Sequence, residues 1–152
     1  MRAVVDSSAW ISLARSGLLT VLARVDLDPV LLDVVRAECV AAGLATGYAD
    51  AAVIETAMDR LEVQPTRGHP VGVDAGVLES ARGVGALVTN DLALGRRARS
   101  LGLVWLRTAD LIVWSVRSGR MSASEGRRAV QALVAAGRIT PDLAKDYLEE
   151  MT

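Results

Sequence analysis

This chain has very little of the usual chemistry of soft metals and covalent nucleophiles. It carries one cysteine and one histidine in 152 residues. The lone Cys39 excludes an internal disulfide framework and suits a reducing cytoplasm. With His69 as the only histidine, a zinc hydrolase lacks ligands and a Cys–His catalytic pair is hard to build. Phenylalanine is absent, so the expected core is Val, Leu and Ala. Lys145 is the only lysine, which argues against phosphatase or receiver-like domains that pair clustered carboxylates with a lysine. A formal charge of −1 gives no global nucleic-acid footprint; such binding must use a local basic patch. No run approaches the ~20 apolar residues of a membrane helix. No signal-peptide pattern follows the start, where Asp6 interrupts the apolar residues. The expectation is a cytoplasmic protein with no membrane partner.

What is present is a foldable chain, 51% hydrophobic and 23% charged, of a length for one domain over residues 1–152. Ala3-Val4-Val5 reads as a buried strand running into Asp6, with Ser7 or Ser8 capping the next helix. Further strands are expected at Val30–Leu32, Leu61–Val63, Ala86–Thr89 and Leu103–Leu106, and a turn at Asp26–Pro29. Helices are expected over Ala9–Arg15, Leu18–Arg24, Val34–Ala42, Ala49–Arg60, Asp74–Arg82 and Leu92–Leu101, with Gly43 and Gly47 bracketing a loop. Gln64–Gly72 is the least regular stretch. The remainder, about 108–152, reads as a helical extension of the same domain over Ala109–Arg117, Ala123–Ala136 and Pro141–Glu150. Ser122-Ala123-Ser124-Glu125 supplies a capping box, and Thr140-Pro141 a cap with proline at the first helical position. Strands alternating with helices predict an α/β fold of three layers, α/β/α, around a parallel sheet of about four to five strands.

Four carboxylates stand out by position. Asp6 ends the first strand, and Asp91 follows the strand Ala86–Thr89, so a parallel sheet puts both at one edge. Glu38 interrupts an apolar helical segment, and Asp74 opens a helix. Each has a plainer reading: a cap for Asp6 and Asp91, a solvent face for Glu38, a favourable helix-dipole contact for Asp74. Converging, the four would form an oxygen-rich anionic pocket suited to Mg²⁺ or Mn²⁺. Such a site activates water and offsets charge on a phosphate without His or Cys.

In this order the residues resemble the PIN-domain ribonucleases, many of them VapC-type toxins of toxin–antitoxin pairs. The resemblance rests on Val5-Asp6-Ser7-Ser8, Val35-Arg36-Ala37-Glu38, Asp74 with Ala81, and Leu87-Val88-Thr89-Asn90-Asp91. Arg96-Arg97-Ala98, Leu101-Gly102-Leu103 and the helical tail are similar to one branch of the family. The resemblance implies a compact PIN-like fold and a Mg²⁺- or Mn²⁺-dependent endoribonuclease. Asp6, Glu38, Asp74 and Asp91 would bind metal, with Ser8 (or Ser7), Thr89 and Asn90 orienting ligands or water. RNA would be the substrate, the chain would form a homodimer, and a toxin would have an antitoxin protein as partner. Many relatives carry an aromatic residue shortly after the last Asp; here the sequence is Leu92-Ala93-Leu94-Gly95.

Arg96, Arg97 and Arg99 follow Asp91 closely. Arg96 and Arg97 are candidates for phosphate contacts; the plainer reading is a solvated helix face. Trp10, Trp105 and Trp114 are expected in the core or at a dimer contact. Cys39 is expected to be a small buried apolar residue, and His69 a loop residue. The alternative to a nuclease is a catalytically inactive PIN-like module that binds RNA or protein.

Overall fold

The computed structural model describes residues 1–69 and 72–151. Pro70, Val71 and Thr152 lie outside them, and with the first two goes part of the irregular Gln64–Gly72 stretch. The elements run β1 (Arg2–Val5), α1 (Ser7–Arg15), α2 (Val21–Arg24), β2 (Asp28–Leu32), α3 (Asp33–Arg36), a π-helical turn (Ala37–Ala41), α4 (Ala42–Thr46) and α5 (Ala49–Arg60). Then follow β3 (Pro65–Thr66), α6 (Val73–Val84), β4 (Ala86–Val88), α7 (Leu92–Ser100), β5 (Val104–Leu106), α8 (Thr108–Arg117), α9 (Ala123–Ala135) and α10 (Pro141–Glu150).

The five strands form one sheet in the order β3-β2-β1-β4-β5, with every pairing parallel. Val4 sits opposite Leu87, and Val5 opposite Val88. The chain therefore leaves β1 toward one side of the sheet and later crosses to the other. That places a topological switch between β1 and β4, where open α/β sheets leave a crevice at their carboxyl ends. Right-handed crossovers put the helices linking β1, β2 and β3 on one face and α6 and α7 on the other. The contacts agree: α6 packs on β1 and β4, α7 on β4 and β5, and α1 on α5 and α8. Ala3, Val4, Val5, Leu87 and Val88 are fully buried between them, as expected for strands covered on both faces.

Several local expectations are corrected. The helix after β1 begins at Ser7, so Ser7 and Ser8 occupy its first turn rather than its cap. Asp28 and Pro29 belong to β2, not to a turn. Pro29 is tolerated because β3 pairs only with Leu31 and Leu32, leaving one side of β2 open where the N–H is missing. Leu61–Val63 is not a strand. Glu62 has φ +54°, and the Val63 amide donates to the Met58 carbonyl at 3.1 Å, so the segment wraps the end of α5. The strand is Pro65–Thr66 instead. The segment after Ala42 stays helical through Gly43, whose absent Cβ lets α4 approach α5: a Cβ there would stand 2.6 Å from that of Ala51. The left-handed Gly47 ends α4.

At the C-terminus the Ser122–Glu125 capping box and the Thr140 cap with Pro141 form as the sequence indicates. α8 packs on α1, α2 and β5, and α9 and α10 pack on α8. Ile112, Leu133 and Tyr147 are buried in the same core as β1. Arg138 Nε donates to the buried Ser12 hydroxyl at 3.0 Å, tying the extension to α1. Among the described residues no helix is long and apolar enough to cross a membrane.

Candidate functional site

The switch between β1 and β4 is closed by hydroxyls. The Asp6 amide donates to the Val88 carbonyl at 2.9 Å, locking the end of β1 to β4. Asp6 holds the cap position of α1, yet its side chain makes no cap bond. Its carboxylate turns to Thr89 instead, whose Oγ1 donates to Asp6 Oδ2 at 3.0 Å, with Ser8 Oγ at 3.3 Å from the same oxygen. The two hydroxyls stand 2.9 Å apart. Ser8 Oγ accepts from the Asn90 amide and Thr89 Oγ1 from the Asp91 amide, at 3.0 and 3.1 Å. The backbone of residues 89–91 is thereby stitched to β1.

Asp6 is only 7% exposed, and among the described residues no basic side chain forms an ion pair with it. Burial pushes its carboxyl above the usual range. The Ser7 amide, Thr89 and Ser8 oppose that rise, while the nearby negative charge of Glu38 adds to it. Glu38 lies in the π-helical turn. Its Oε2 accepts a 2.5 Å hydrogen bond from Ser7 Oγ, so adjacent serines hold the two acidic residues. Cys39 Sγ lies 3.8 Å from the Ser7 carbonyl oxygen. It is buried as a small apolar residue, and that burial raises its thiol to about 11.

The other expected residues are placed differently. Asp91 caps α7 and is exposed; its Oδ1 accepts from the Leu94 amide at 2.9 Å. Asp74 lies exposed in the first turn of α6. α6 runs antiparallel to β4, so this turn returns to the same carboxyl edge. Asn90 binds within the fold. Its amide exchanges hydrogen bonds with the Thr108 hydroxyl and backbone N–H at 2.9–3.2 Å, clamping the start of α8. The predicted convergence of all four carboxylates is not formed: among the described residues no three His, Cys, Asp or Glu side chains stand together as a metal-binding group. One Asp91 oxygen is engaged in capping α7. Asp6 and Glu38 remain as an adjacent pair.

Arg96 and Arg97 are exposed, but on different flanks of α7, whose buried line is Leu94, Gly95 and Ala98. Trp105 is neither core nor free surface. Half-buried, it donates from Nε1 to the Thr89 carbonyl at 3.0 Å, supporting the strand end from behind. Its aromatic type signalled packing, but nothing in its sequence neighbourhood identifies Thr89 as its partner. The role of Ser7 was one of two options, and the structure uses both serines, one for each carboxylate.

No family model matches this chain, and searches of curated proteins and of solved structures return no similar protein.

Proposed function

We propose that this protein is a Mg²⁺- or Mn²⁺-dependent endoribonuclease that hydrolyses RNA phosphodiester bonds at the β1–β4 edge. The observation that carries this reading is the Asp6 carboxylate: buried, hydrogen-bonded by two hydroxyls, lacking any cationic partner among the described residues, and adjacent to Glu38. An uncompensated buried carboxylate is costly, and a hard divalent cation is the partner that an oxygen-only donor set fits. Asp6 and Glu38 would hold the metal, with Asp91 and Asp74 contributing from the rim. When bound, the metal supplies an activated water and neutralises charge on the scissile phosphate. Thr89 and Ser8 fix Asp6 Oδ2, and Ser7 fixes Glu38. The PIN-like order of these residues supports RNA as the substrate, a cytoplasmic location, homodimerisation and a toxin role with an antitoxin partner.

The test is titration calorimetry of Mn²⁺ into the wild type and Asp6→Asn, followed by RNA cleavage assays with Mg²⁺. Binding and cleavage that both vanish in the variant are expected. A variant as active as the wild type overturns the reading. The separation of Asp74 and Asp91 from the Asp6–Glu38 pair favours one second reading, an inactive PIN-like module. It predicts RNA or protein binding that persists in chelator, with no divalent-dependent turnover.

A further inference from the structure

Charge is segregated along this chain. Residues 92–109 contain Arg96, Arg97, Arg99 and Arg107 and no acidic residue, a local charge of +4 in a chain whose formal total is −1. Arg2, Arg15, Arg24, Arg36, Arg82 and Arg117 each pair with a carboxylate. Among the described residues Arg96 and Arg99 have no ion pair or side-chain hydrogen bond, and both are exposed. Three positions apart on a helix, they share one flank of α7. Arg97, two positions from Arg99, lies on the opposite flank.

That flank faces Trp105. The Arg99 guanidinium lies 5.1 Å and that of Arg107 4.6 Å from the ring centroid. Gly95 makes the arrangement possible, since a Cβ there would fall 1.9 Å from Trp105 Cε2. Trp105 is in turn bonded to the Thr89 carbonyl. The arginine-flanked ring is therefore fixed beside the carboxylate edge; Arg107 is also hydrogen-bonded to the Tyr147 side chain, whereas the Arg99 guanidinium, stacked on the ring, keeps its N–H donors for an incoming anion.

We propose that the α7–β5 flank, Arg99 and Arg107 on Trp105 with Arg96 beside Arg99 on α7, is the docking track for a single-stranded RNA backbone entering the β1–β4 edge. The proposal rests on the nuclease reading for its destination, but concerns a surface that reading does not use. The flank offers one row of cations, which suits one line of phosphates. A duplex presents its recognition features across a wide groove with two phosphate rails.

The test is fluorescence anisotropy of a labelled single-stranded RNA with the full chain in EDTA, which separates binding from cleavage. Arg96→Gln/Arg99→Gln is expected to weaken binding at least about tenfold and to flatten the log–log salt slope by roughly 1.4, two phosphate contacts at about 0.7 each. Arg127→Gln/Arg128→Gln on α9 removes the same charge and is expected to change affinity less than about twofold. Arg97→Gln is expected to lose less than Arg99→Gln. Thermal melts confirm that each variant is folded. The track is overturned if the wild type does not bind, if the α9 variant loses as much as the α7 variant, or if a duplex of the same sequence binds as tightly. Metal-dependent cleavage in the wild type, absent in Asp6→Asn, reads the nuclease proposal separately. A failed track with intact cleavage moves the entry path elsewhere, whereas an intact track without cleavage leaves an RNA-binding module.

Discussion

Neutralising Asp6 is expected to stabilise the metal-free protein. Its folded-state pKa is raised, chiefly by burial. As pH climbs from the ordinary aspartate range through the folded value, the folded state keeps a proton that the unfolded chain has released. Stability falls across that window and stays lower above it. Asp6→Asn keeps an acceptor oxygen for Thr89 and Ser8 but removes the charge. Its melting temperature in EDTA at neutral pH should exceed that of the wild type by a few degrees, at about 2–4 °C per kcal/mol for a chain of this size. The gain should disappear below the ordinary aspartate pKa. Saturating Mn²⁺ should reverse the order, because ligand binding stabilises only the protein that binds it. Thermal melts across pH, with and without Mn²⁺, check both parts; a variant less stable in EDTA would show that Asp6 is satisfied without a cation. Cys39 provides a second residue-scale test. With its thiol raised to about 11 and the side chain 4% exposed, it should resist iodoacetamide at mildly alkaline pH and react once urea unfolds the chain. Mass spectrometry reads the difference.

Among the elements, α7 and β5 are set by a single missing methyl group. Gly95→Ala would drive a Cβ into the Trp105 ring. Overpacking of this kind costs about 1–3 kcal/mol. The ring must shift, so its bond to the Thr89 carbonyl should weaken and tryptophan emission should change along with the melting temperature. Unchanged values for both would mean that the α7–β5 contact is slack. The elements also show what the sequence can reveal. The bounds of α5 and α10 and both C-terminal caps were legible because periodicity and cap chemistry are local. The β1 end and Asp6 were legible because a carboxylate after β-branched residues breaks the pattern. Gly43 was misread as loop because its reason, the Cβ of Ala51, comes from the neighbouring helix α5. The Asn90–Thr108 clamp has no local signal, because Thr108 becomes its neighbour only through folding. The four carboxylates were identifiable as candidates, but their distances depend on helix ends and on the charge between them, which no local pattern encodes.

At the scale of the whole molecule, the C-terminal helices share one core with the sheet. Leu133, Tyr147 and Met151 are buried with Val4 and Leu87, and Tyr147 is enclosed enough that burial raises its phenol to about 12. Urea unfolding should therefore give coincident transitions by tryptophan fluorescence, which includes Trp114 on α8, and by far-ultraviolet circular dichroism. Separated midpoints would divide the extension from the sheet. The hydroxyl stitching between β1 and β4 has a temporal consequence. Ser8 and Thr89 are 81 positions apart, and Thr89 is braced by Trp105 while Asn90 is held by Thr108. A growing chain released up to β3 already contains Asp6 and Glu38, but not the residues that aim and brace Asp6. The arrangement comes into being only after residue 108 has docked, so a truncated product of synthesis carries half of the acidic residues and none of the assembled edge.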